Sequence, residues 1–209
     1  MTSDTQKHFN NIAKNYKDEI PLHTRDHLIN RLWNFCSPYF FHGCKVIDIG
    51  CGDGTNSAFF KAKGIDIVGV DFSEKLIQQG NKLYPQLRSR LCVGDCLNLQ
   101  FMDRTFDIAM MIGVLHHIPS REKQIKAVQE ALRLVKHEGV LIIRESNLLN
   151  PLFRIFWNYI FPLTAKIDRF GGENWISAKY LSEIFHDFWV ETIYFTKVSR
   201  FFIACNSRR

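Results

Sequence analysis

The sequence lacks the cysteine patterns that bind metals or carry out redox chemistry. Its six cysteines show no C-x-x-C pair and no zinc-type spacing, and several lie inside apolar runs. A free cysteine in such a position behaves as a small hydrophobic residue. We therefore expect reduced thiols and a cytoplasmic protein, since disulfides are rare in reducing compartments.

Long apolar stretches, repeats and low-complexity linkers are also missing. The first residues, MTSDTQKHFNN, contain no apolar core of a secretory signal, and no uncharged run reaches the length of a membrane span. The chain has 209 residues, of which 46% are hydrophobic and 23% charged. These values are typical of one globular domain.

Positive charge is present but is not concentrated in a stripe. The formal net charge is +6, and basic residues cluster only at Arg88–Arg90 and Arg208–Arg209. Scattered charge of this kind usually covers a solvated surface. Nucleic acid is therefore not the expected partner, although an anionic partner stays open.

Apolar runs alternate with helical patterns from Val46 onward. The runs KVIDIG, IDIVGVD, RLCVGD, FDIAMMIGV and GVLIIRE are continuously apolar, as in strands that helices cover on both faces. This alternation predicts a doubly wound, Rossmann-like α/β fold with a mostly parallel sheet. Two late runs, WVETIYFT and SRFFIAC, are close enough to form a hairpin, which would make one strand antiparallel.

The predicted single domain, 1–209, divides into four parts along the chain. Residues 1–43 form an N-terminal helical cap and residues 44–145 the α/β core. Residues 146–176 form an apolar helical insertion after the fifth strand, and residues 177–209 a last helix and the hairpin.

Three glycines follow the first strand in the pattern Gly50-x-Gly52-x-Gly54. In an open α/β sheet, ligands bind beyond the carboxyl ends of the strands, and glycine lets the backbone approach them closely. The spacing alone is compatible with a dinucleotide or with another nucleoside cofactor.

Four acids distinguish these cofactors. Asp48 and Asp53 lie beside or within the turn, where they would repel a pyrophosphate but favour a sulfonium and an ammonium group. Asp71, at the end of the second strand, can accept hydrogen bonds from ribose hydroxyls. Asp95, after the third strand, can accept one from an adenine amino group. S-adenosylmethionine (SAM) satisfies all four acids, and NAD does not.

Five ordered blocks carry a family resemblance: VIDIGCGDGTNS, VGVDFS, VGDCLNLQF, FDIAMMIGVLHHI and ALRLVKHEGVLII. They resemble the successive motifs of the class I SAM-dependent methyltransferases, in particular those acting on small molecules, over residues 44–145. The resemblance implies a seven-stranded sheet of order 3-2-1-4-5-7-6, with strand seven antiparallel.

The resemblance also implies a cofactor site with SAM bound and S-adenosylhomocysteine as product. The methionine end would meet Asp48, Gly50 and Gly52, with Gly113 presenting its backbone nearby. Asp71 would hold the ribose. The remaining predicted contacts are the adenine neighbours Phe72, Asp95 and Cys96, the loop residue Cys51, and Tyr16, the aromatic residue that closes over the methionine carboxylate. Cys51 and Cys96 suit these positions by size and not by thiol chemistry.

The segment LHHIP follows strand four, where acceptor-site residues emerge in this fold. Methyl transfer to a hydroxyl requires removal of a proton, and imidazole titrates near neutral pH. His117 is the first candidate base, then His116, and Glu145 at the end of strand five can also face the acceptor. The alternatives are that the histidines cap or pack, and that Glu145 pairs with Arg144 or Lys136 at the surface.

Two absences narrow the acceptor. Methylases of exocyclic amines resemble one another in an Asn/Asp-Pro-Pro-aromatic motif after strand four, where this chain has IGVLHH. That difference argues against adenine-N6 methylation. No cluster of aspartates at the ends of strands four and five is available for Mg²⁺, so we expect no metal.

The segment around residues 152–161 is apolar nearly all round a helix. Such a segment must bury both sides, as a lid, a dimer interface or a contact with lipid. With SNLLNPLFRIFWNYIFPLTAKID and HFNNIAKNYKDEIPLH, the chain resembles bacterial methyltransferases of glycan or lipid biosynthesis. We expect a small-molecule or lipid/glycan-type acceptor methylated at oxygen, peripheral membrane contact through 151–163, and a monomer or homodimer.

Two other functions stay open. The segments GVDFSEKL and IGVLHHIPSREKQIKAVQEALRLV also resemble the tRNA wobble-uridine methyltransferases. The mildly basic charge is compatible with that function, but the apolar insertion has no evident role in holding RNA. The third possibility is a SAM-binding regulator without catalysis.

Overall fold

The computed structural model describes residues 3–14, 16, 22–146, 151, 155, 159, 188–193 and 199–208. The predicted apolar insertion, apart from single positions, and the predicted helix at Ser177–Phe188 lie outside the described residues. The described helices are α1 (Ser3–Ile12), α2 (Leu22–Cys36), α3 (Thr55–Ala62), α4 (Glu74–Leu83) and α5 (Arg121–Leu134). The strands are β1 (Lys45–Ile49), β2 (Asp66–Asp71), β3 (Leu91–Val93), β4 (Phe106–Ile112), β5 (Val135–Ser146), β6 (Phe188–Ile193) and β7 (Ser199–Arg208).

Strands β1 to β5 form a parallel sheet in which β1 is central. It pairs with β2 on one side and with β4 on the other, so that Ile47 lies opposite both Val68 and Ala109. Strand β3 continues the sheet beyond β2, and β5 continues it beyond β4. The predicted Rossmann-like α/β fold with a parallel sheet is confirmed across these five strands.

The last two strands are antiparallel in their backbone pairing. Strand β7 pairs with β5 from Val140↔Cys205 to Ser146↔Ser199, and β6 pairs with β7. Most of the chain that joins β5 to this pair lies outside the described residues. The complete seven-stranded arrangement, with its crossover and insertion, therefore stays a prediction.

Apolar helix faces cover both sides of the parallel strands. On one side α5 buries Ala127, Val128, Ala131 and Leu134 completely, because these residues recur at helical spacing on one face. On the other side α2 and α3 contribute Leu32, Phe35 and Phe60 to a second buried cluster. The two-sided burial explains why the strands are apolar along their whole length.

Serine side chains cap the first turns of two of these helices. The Ser73 hydroxyl accepts from Leu76 N at 3.3 Å at the start of α4, and the Ser120 hydroxyl accepts from Lys123 N at 3.3 Å at the start of α5. Strand β4 ends two residues earlier than its apolar run, because Gly113 takes a φ of 69° and turns the chain.

Helix α1 lies at the carboxyl edge of the sheet. Its Phe9, together with Ala13 directly after the helix, packs with Leu76 of α4 in a small buried cluster. Two amide side chains also join α1 to the turn after β2: Asn10 Oδ1 accepts from Ser73 Oγ at 2.7 Å, and Gln6 Nε2 donates to the Phe72 carbonyl at 2.8 Å. In the part of the chain that the structure describes, no helix is both long and apolar enough to cross a membrane.

Candidate active site

The glycine turn after β1 is held against β2 by its own backbone. The N–H groups of Gly50 and Cys51 donate to the Val70 carbonyl at 2.7 and 3.0 Å. Gly50 and Gly52 have φ values of 75° and 58°, which side-chain-bearing residues rarely adopt. A Cβ at Gly50 would also clash with Val114, and one at Gly52 would lie 3.3 Å from the Tyr16 ring. Both glycines are therefore needed for the shape of the turn.

Asp71 joins this turn to the end of β2. Its Oδ2 accepts from Gly52 N at 2.9 Å and its Oδ1 from Ser73 N at 2.8 Å. Burial raises the pKa of this carboxyl to about 6 in spite of both hydrogen bonds. Asp71 lines the cavity described below, where its carboxylate is available to a hydroxyl-bearing ligand.

The other two acids of the turn lie beneath it and do not line the cavity. Asp48 is 1% exposed and its Oδ2 accepts from Ser57 Oγ at 2.7 Å. Burial raises its pKa to about 6. Asp53 Oδ1 accepts from the backbone N–H and the hydroxyl of Thr55 at 3.1 and 2.7 Å, at the start of α3. A direct contact of Asp48 with the methionine end of SAM stays a prediction.

A cavity opens beside the turn, at the carboxyl ends of β1, β2 and β4. The predicted residues that line it are Tyr16, Gly50, Gly52, Asp71, Phe72, Cys96, Gly113 and His117. The remaining lining residues are Phe9, Ile49, Val70, Leu76, Gly94, Ile112 and Val114, which sequence reasoning had not singled out.

The predicted adenine end of the cavity is only partly assembled from the expected side chains. Phe72 and Cys96 line it, whereas Asp95 does not, and Asp95 Oδ1 accepts from Leu97 N at 3.0 Å. Burial raises the pKa of Cys96 to about 12 and that of Cys51 well above its ordinary value. Both thiols therefore stay protonated, in agreement with a packing role. Cys51 is buried but does not line the cavity.

Helix α1 and the residues just after it supply one wall of the cavity. Phe9 contacts the rings of Phe72 and Tyr16 edge-on, with centroid distances of 5.8 and 6.5 Å. The apolar spacing of Phe9, Ala13 and Tyr16 at i, i+4 and i+7 is the signal that could have identified this wall from the sequence.

The turn after β4, which includes a short 3-10 segment at Leu115–His117, supplies the wall next to it. His117 lines the cavity, and its ring lies 5.1 Å from that of Phe9. Burial, together with the neighbouring His116 and His8, lowers the pKa of His117 well below its ordinary value. The ring is therefore neutral near neutral pH, and its lowered pKa makes it a weaker base than an exposed imidazole.

His116 and Glu145 do not line the cavity. Both are buried, and His116 Nδ1 lies 2.6 Å from Glu145 Oε2. The surface ion pair considered for Glu145 is not the arrangement found, since Lys136 Nζ instead contacts Asp107 Oδ1 at 2.8 Å. Among the described residues, no group of three or more potential ligands is placed to hold a metal ion.

The cavity lining is compatible with SAM, because it combines the glycine turn, Asp71 and the aromatic side chains of Phe9, Tyr16 and Phe72. The fold and this site are those of a nucleoside-cofactor enzyme of the methyltransferase type. A family model described as a methyltransferase domain matches residues 47–143. The matched residues are a methyltransferase domain of the class I, SAM-dependent type, whose cofactor is SAM.

Known proteins with similar sequences include two different kinds of methyltransferase. Demethylmenaquinone methyltransferase of Paenarthrobacter aurescens is 32% identical over 143 residues, which are 68% of this chain and 54% of that protein. The mouse protein called probable tRNA methyltransferase 9B is 35% identical over 105 residues, or 48% of this chain and 21% of that protein. The chain thus spans about half the length of the first of these relatives and less of the second.

Among solved structures, the N-methyltransferase NodS of Bradyrhizobium japonicum, in complex with S-adenosyl-L-homocysteine, superposes with a TM-score of 0.71. The match covers 98% of this chain and 99% of that one at 13% identity, so it bears on the fold alone.

Proposed function

We propose that this protein transfers the methyl group of SAM to a hydroxyl oxygen of a small-molecule acceptor of the lipid or glycan type. The observation that carries the proposal is the position of His117, which lines the same cavity as Asp71 and the glycine turn. A neutral imidazole beside the cofactor cavity can receive the proton that a hydroxyl loses when it attacks the methyl carbon.

When bound, SAM supplies an electrophilic methyl group on a sulfonium. His117 would take the proton that the acceptor hydroxyl loses as its oxygen is methylated. The aromatic wall of Phe9, Tyr16 and Phe72 excludes water and orients the reactants. For the cofactor we propose that Asp71 binds the ribose. Three residues would lie at the adenine: Phe72, Asp95 and Cys96. The residues around the methionine end would be Asp48, Gly50, Cys51, Gly52, Gly113 and Tyr16.

The acceptor class is supported by the apolar cavity walls and by one relative. That relative acts, by its name, on demethylmenaquinone, a quinone-type molecule. A base that deprotonates a quinol hydroxyl also makes the neighbouring ring carbon nucleophilic, so the same side chain serves methylation at oxygen or at carbon. We therefore propose a hydroxylated, apolar acceptor, with oxygen as the methylated atom.

The remaining parts of the proposal concern the whole chain. We propose one domain over residues 1–209 with the family's seven-stranded sheet, and an apolar lid after β5. We also propose a cytoplasmic protein, monomeric or homodimeric, with peripheral membrane contact through 151–163. The support is the apolar composition of that segment, in which Ile155 and Tyr159 are 52% and 71% exposed.

A tRNA wobble-uridine methyltransferase is the second candidate. It is supported by the 35% identity to the probable tRNA methyltransferase 9B and by the net charge of +6. The match covers only 48% of this chain, and it carries no information about how RNA would be held. A SAM-binding protein without catalysis is the third.

One experiment separates these candidates. The purified protein is incubated with methyl-labelled SAM and, separately, with reduced naphthoquinones, a total lipid extract, glycan precursors and total tRNA. We expect label in the quinol or lipid fraction and not in tRNA. His117→Asn should lower this labelling by about 100-fold or more, the usual contribution of a general base. Labelling of tRNA alone would establish the second candidate, and labelling of no fraction would favour the third.

A further inference from the structure

The turn after β4 is held by a carboxylate from the neighbouring strand. Glu145, at the end of β5, is 3% exposed. Its Oε1 accepts from the backbone N–H groups of Val114 and Leu115 at 3.1 and 2.8 Å. Its Oε2 lies 2.6 Å from His116 Nδ1. Both oxygens are thus engaged by this turn, and the side chain does not reach the cavity wall.

A second buried side chain holds the same turn from the helix that follows. Gln124 of α5 is 1% exposed, and its Nε2 donates to the carbonyls of Leu115 and Ile118 at 3.0 and 3.4 Å. Glu145 therefore binds N–H groups of the turn while Gln124 binds its carbonyls. Because buried polar groups are costly to leave unpaired, the backbone on both sides of His117 has one favoured path.

The same carboxylate fixes the state of the His116 ring. Because a carboxylate can only accept, the geometry assigns the hydrogen to His116 Nδ1. The His116 ring then lies 3.9 Å from the His117 ring, centroid to centroid. Phe9 of α1 contacts the His117 ring as well, at 5.1 Å. The orientation of the imidazole in the cavity thus depends on the side chain packed next to it.

We propose that Glu145 is a positioning residue, which fixes the His117 ring on the cavity wall through the β4 turn and through His116. Neither Glu145 nor His116 meets the acceptor. The effect of Glu145 on the methylation rate rests on the proposed function. Its effect on the protonation of the His116 ring, which spectroscopy detects, does not.

The spectroscopic test uses the full chain with nitrogen-15 in its histidine rings and needs no acceptor. In the native protein, His116 should show a protonated Nδ1. In Glu145→Gln, the amide oxygen should accept the hydrogen bonds from the Val114 and Leu115 N–H groups. In the opposite orientation the amide NH₂, a donor, would face these two N–H donors. The NH₂ then faces His116, and the hydrogen should move to Nε2. Assignment follows from the loss of the signal in His116→Asn.

Glu122→Gln is the matched control, because Glu122 is an exposed residue in the first turn of α5. It should leave the histidine spectra unchanged. An unprotonated Nδ1 in the native protein, or an unchanged tautomer in Glu145→Gln, would overturn the proposal.

The kinetic test uses labelled SAM and a reduced naphthoquinone. Glu145→Gln should lower kcat by about 10- to 100-fold while the Kd for SAM changes by less than about 2-fold, as expected for misplacing a base. In His116→Asn, the side-chain NH₂ supplies a donor in place of Nδ1–H, so kcat should stay within about 3-fold of the native value. In His116→Leu this donor is missing, so kcat should fall as much as in Glu145→Gln.

If His116→Asn is as inactive as His117→Asn, then His116 itself acts on the acceptor and the proposal is wrong. The same variant decides the question should Glu145→Gln fail to fold, because it probes the contact from the other side. If the native protein methylates no quinol, the proposed acceptor fails, and the nitrogen-15 spectra still decide the role of Glu145.

Discussion

The carboxylate of Asp71 and the backbone N–H of Gly52 are joined by a 2.9 Å hydrogen bond, which connects the end of β2 to the glycine turn. The same carboxylate also accepts from Ser73 N at 2.8 Å. The residue proposed to hold the ribose therefore also fixes the turn proposed to hold the methionine end. The Asp71 carboxylate thus joins the two halves of the proposed cofactor site.

Replacing Asp71 should weaken cofactor binding more than it weakens the fold. In Asp71→Asn an NH₂ group faces one of the two backbone donors, and a charged acceptor is lost. We expect the Kd for SAM to rise by about 10-fold or more, the usual range for a hydrogen bond to a charged group. Isothermal calorimetry measures it. Asp66→Asn, at the other end of β2 in a half-exposed ion pair with Arg90, is the control and should bind normally.

Gly50→Ala should destabilise the protein for two separable reasons. The left-handed φ of 75° costs about 1–2 kcal/mol for any residue with a Cβ. The clash with Val114 adds about 1–3 kcal/mol of overpacking. Gly64→Ala isolates the first cost, because Gly64 has a φ of 85° and its Cβ would meet nothing within 4 Å. Equal urea midpoints for the two variants would show that Val114 moves freely.

Cofactor affinity should depend on pH through Asp48 and Asp71. Burial raises the pKa of each carboxyl from 3.8 to about 6. Since the folded value is the higher one, each group favours the folded state below about pH 4 and loses that contribution as the pH rises through 6. A cationic ligand needs the ionised forms, so lowering the pH from 7.5 to 5 should weaken SAM binding by about 10-fold for each carboxylate involved.

Calorimetry at these two pH values measures this effect. Asp71→Asn should show a smaller pH dependence than the native protein, because one of the two titrating groups is gone. An affinity that is the same at both pH values would mean that neither carboxylate needs its charge to bind SAM.

The contacts of Asn10 should control how firmly α1 covers the cavity. Its amide oxygen accepts from Ser73 Oγ at 2.7 Å, and α1 carries Phe9 of the cavity wall. Asn10→Ala should speed amide hydrogen exchange in α1 and the dissociation of SAM. Asn11→Ala is matched in residue type and in helix, but Asn11 is exposed. If both variants dissociate SAM at the native rate, α1 does not cover the bound cofactor.

The sequence was sufficient to predict the parts of the site that are local in the chain. The glycine turn and Asp71 each follow directly from a strand end, where turn chemistry is readable over a few residues. The parallel sheet was predicted from the continuous apolar runs, whereas the strand order came from the family resemblance. His117 was predicted as a candidate base because the segment LHHIP follows strand four.

The rest depends on contacts between residues far apart in the chain. Glu145 binds the turn 29 to 31 residues before it, and nothing next to Glu145 in the sequence indicates that partner. Phe9 reaches the cavity only because Asn10 and Gln6 bind a turn 63 to 66 residues later. Such pairings come from tertiary packing, which no local pattern records.

That last separation also bears on how the protein is made. Helix α1 leaves the ribosome before the turn that receives it, because Ser73 is synthesised 63 residues after Asn10. The wall formed by Phe9 therefore cannot assemble until β2 and the start of α4 have emerged. Until then the cofactor cavity of the nascent chain lacks the wall that Phe9 forms. The apolar face of α1 also lacks its docking surface and is accessible to chaperones.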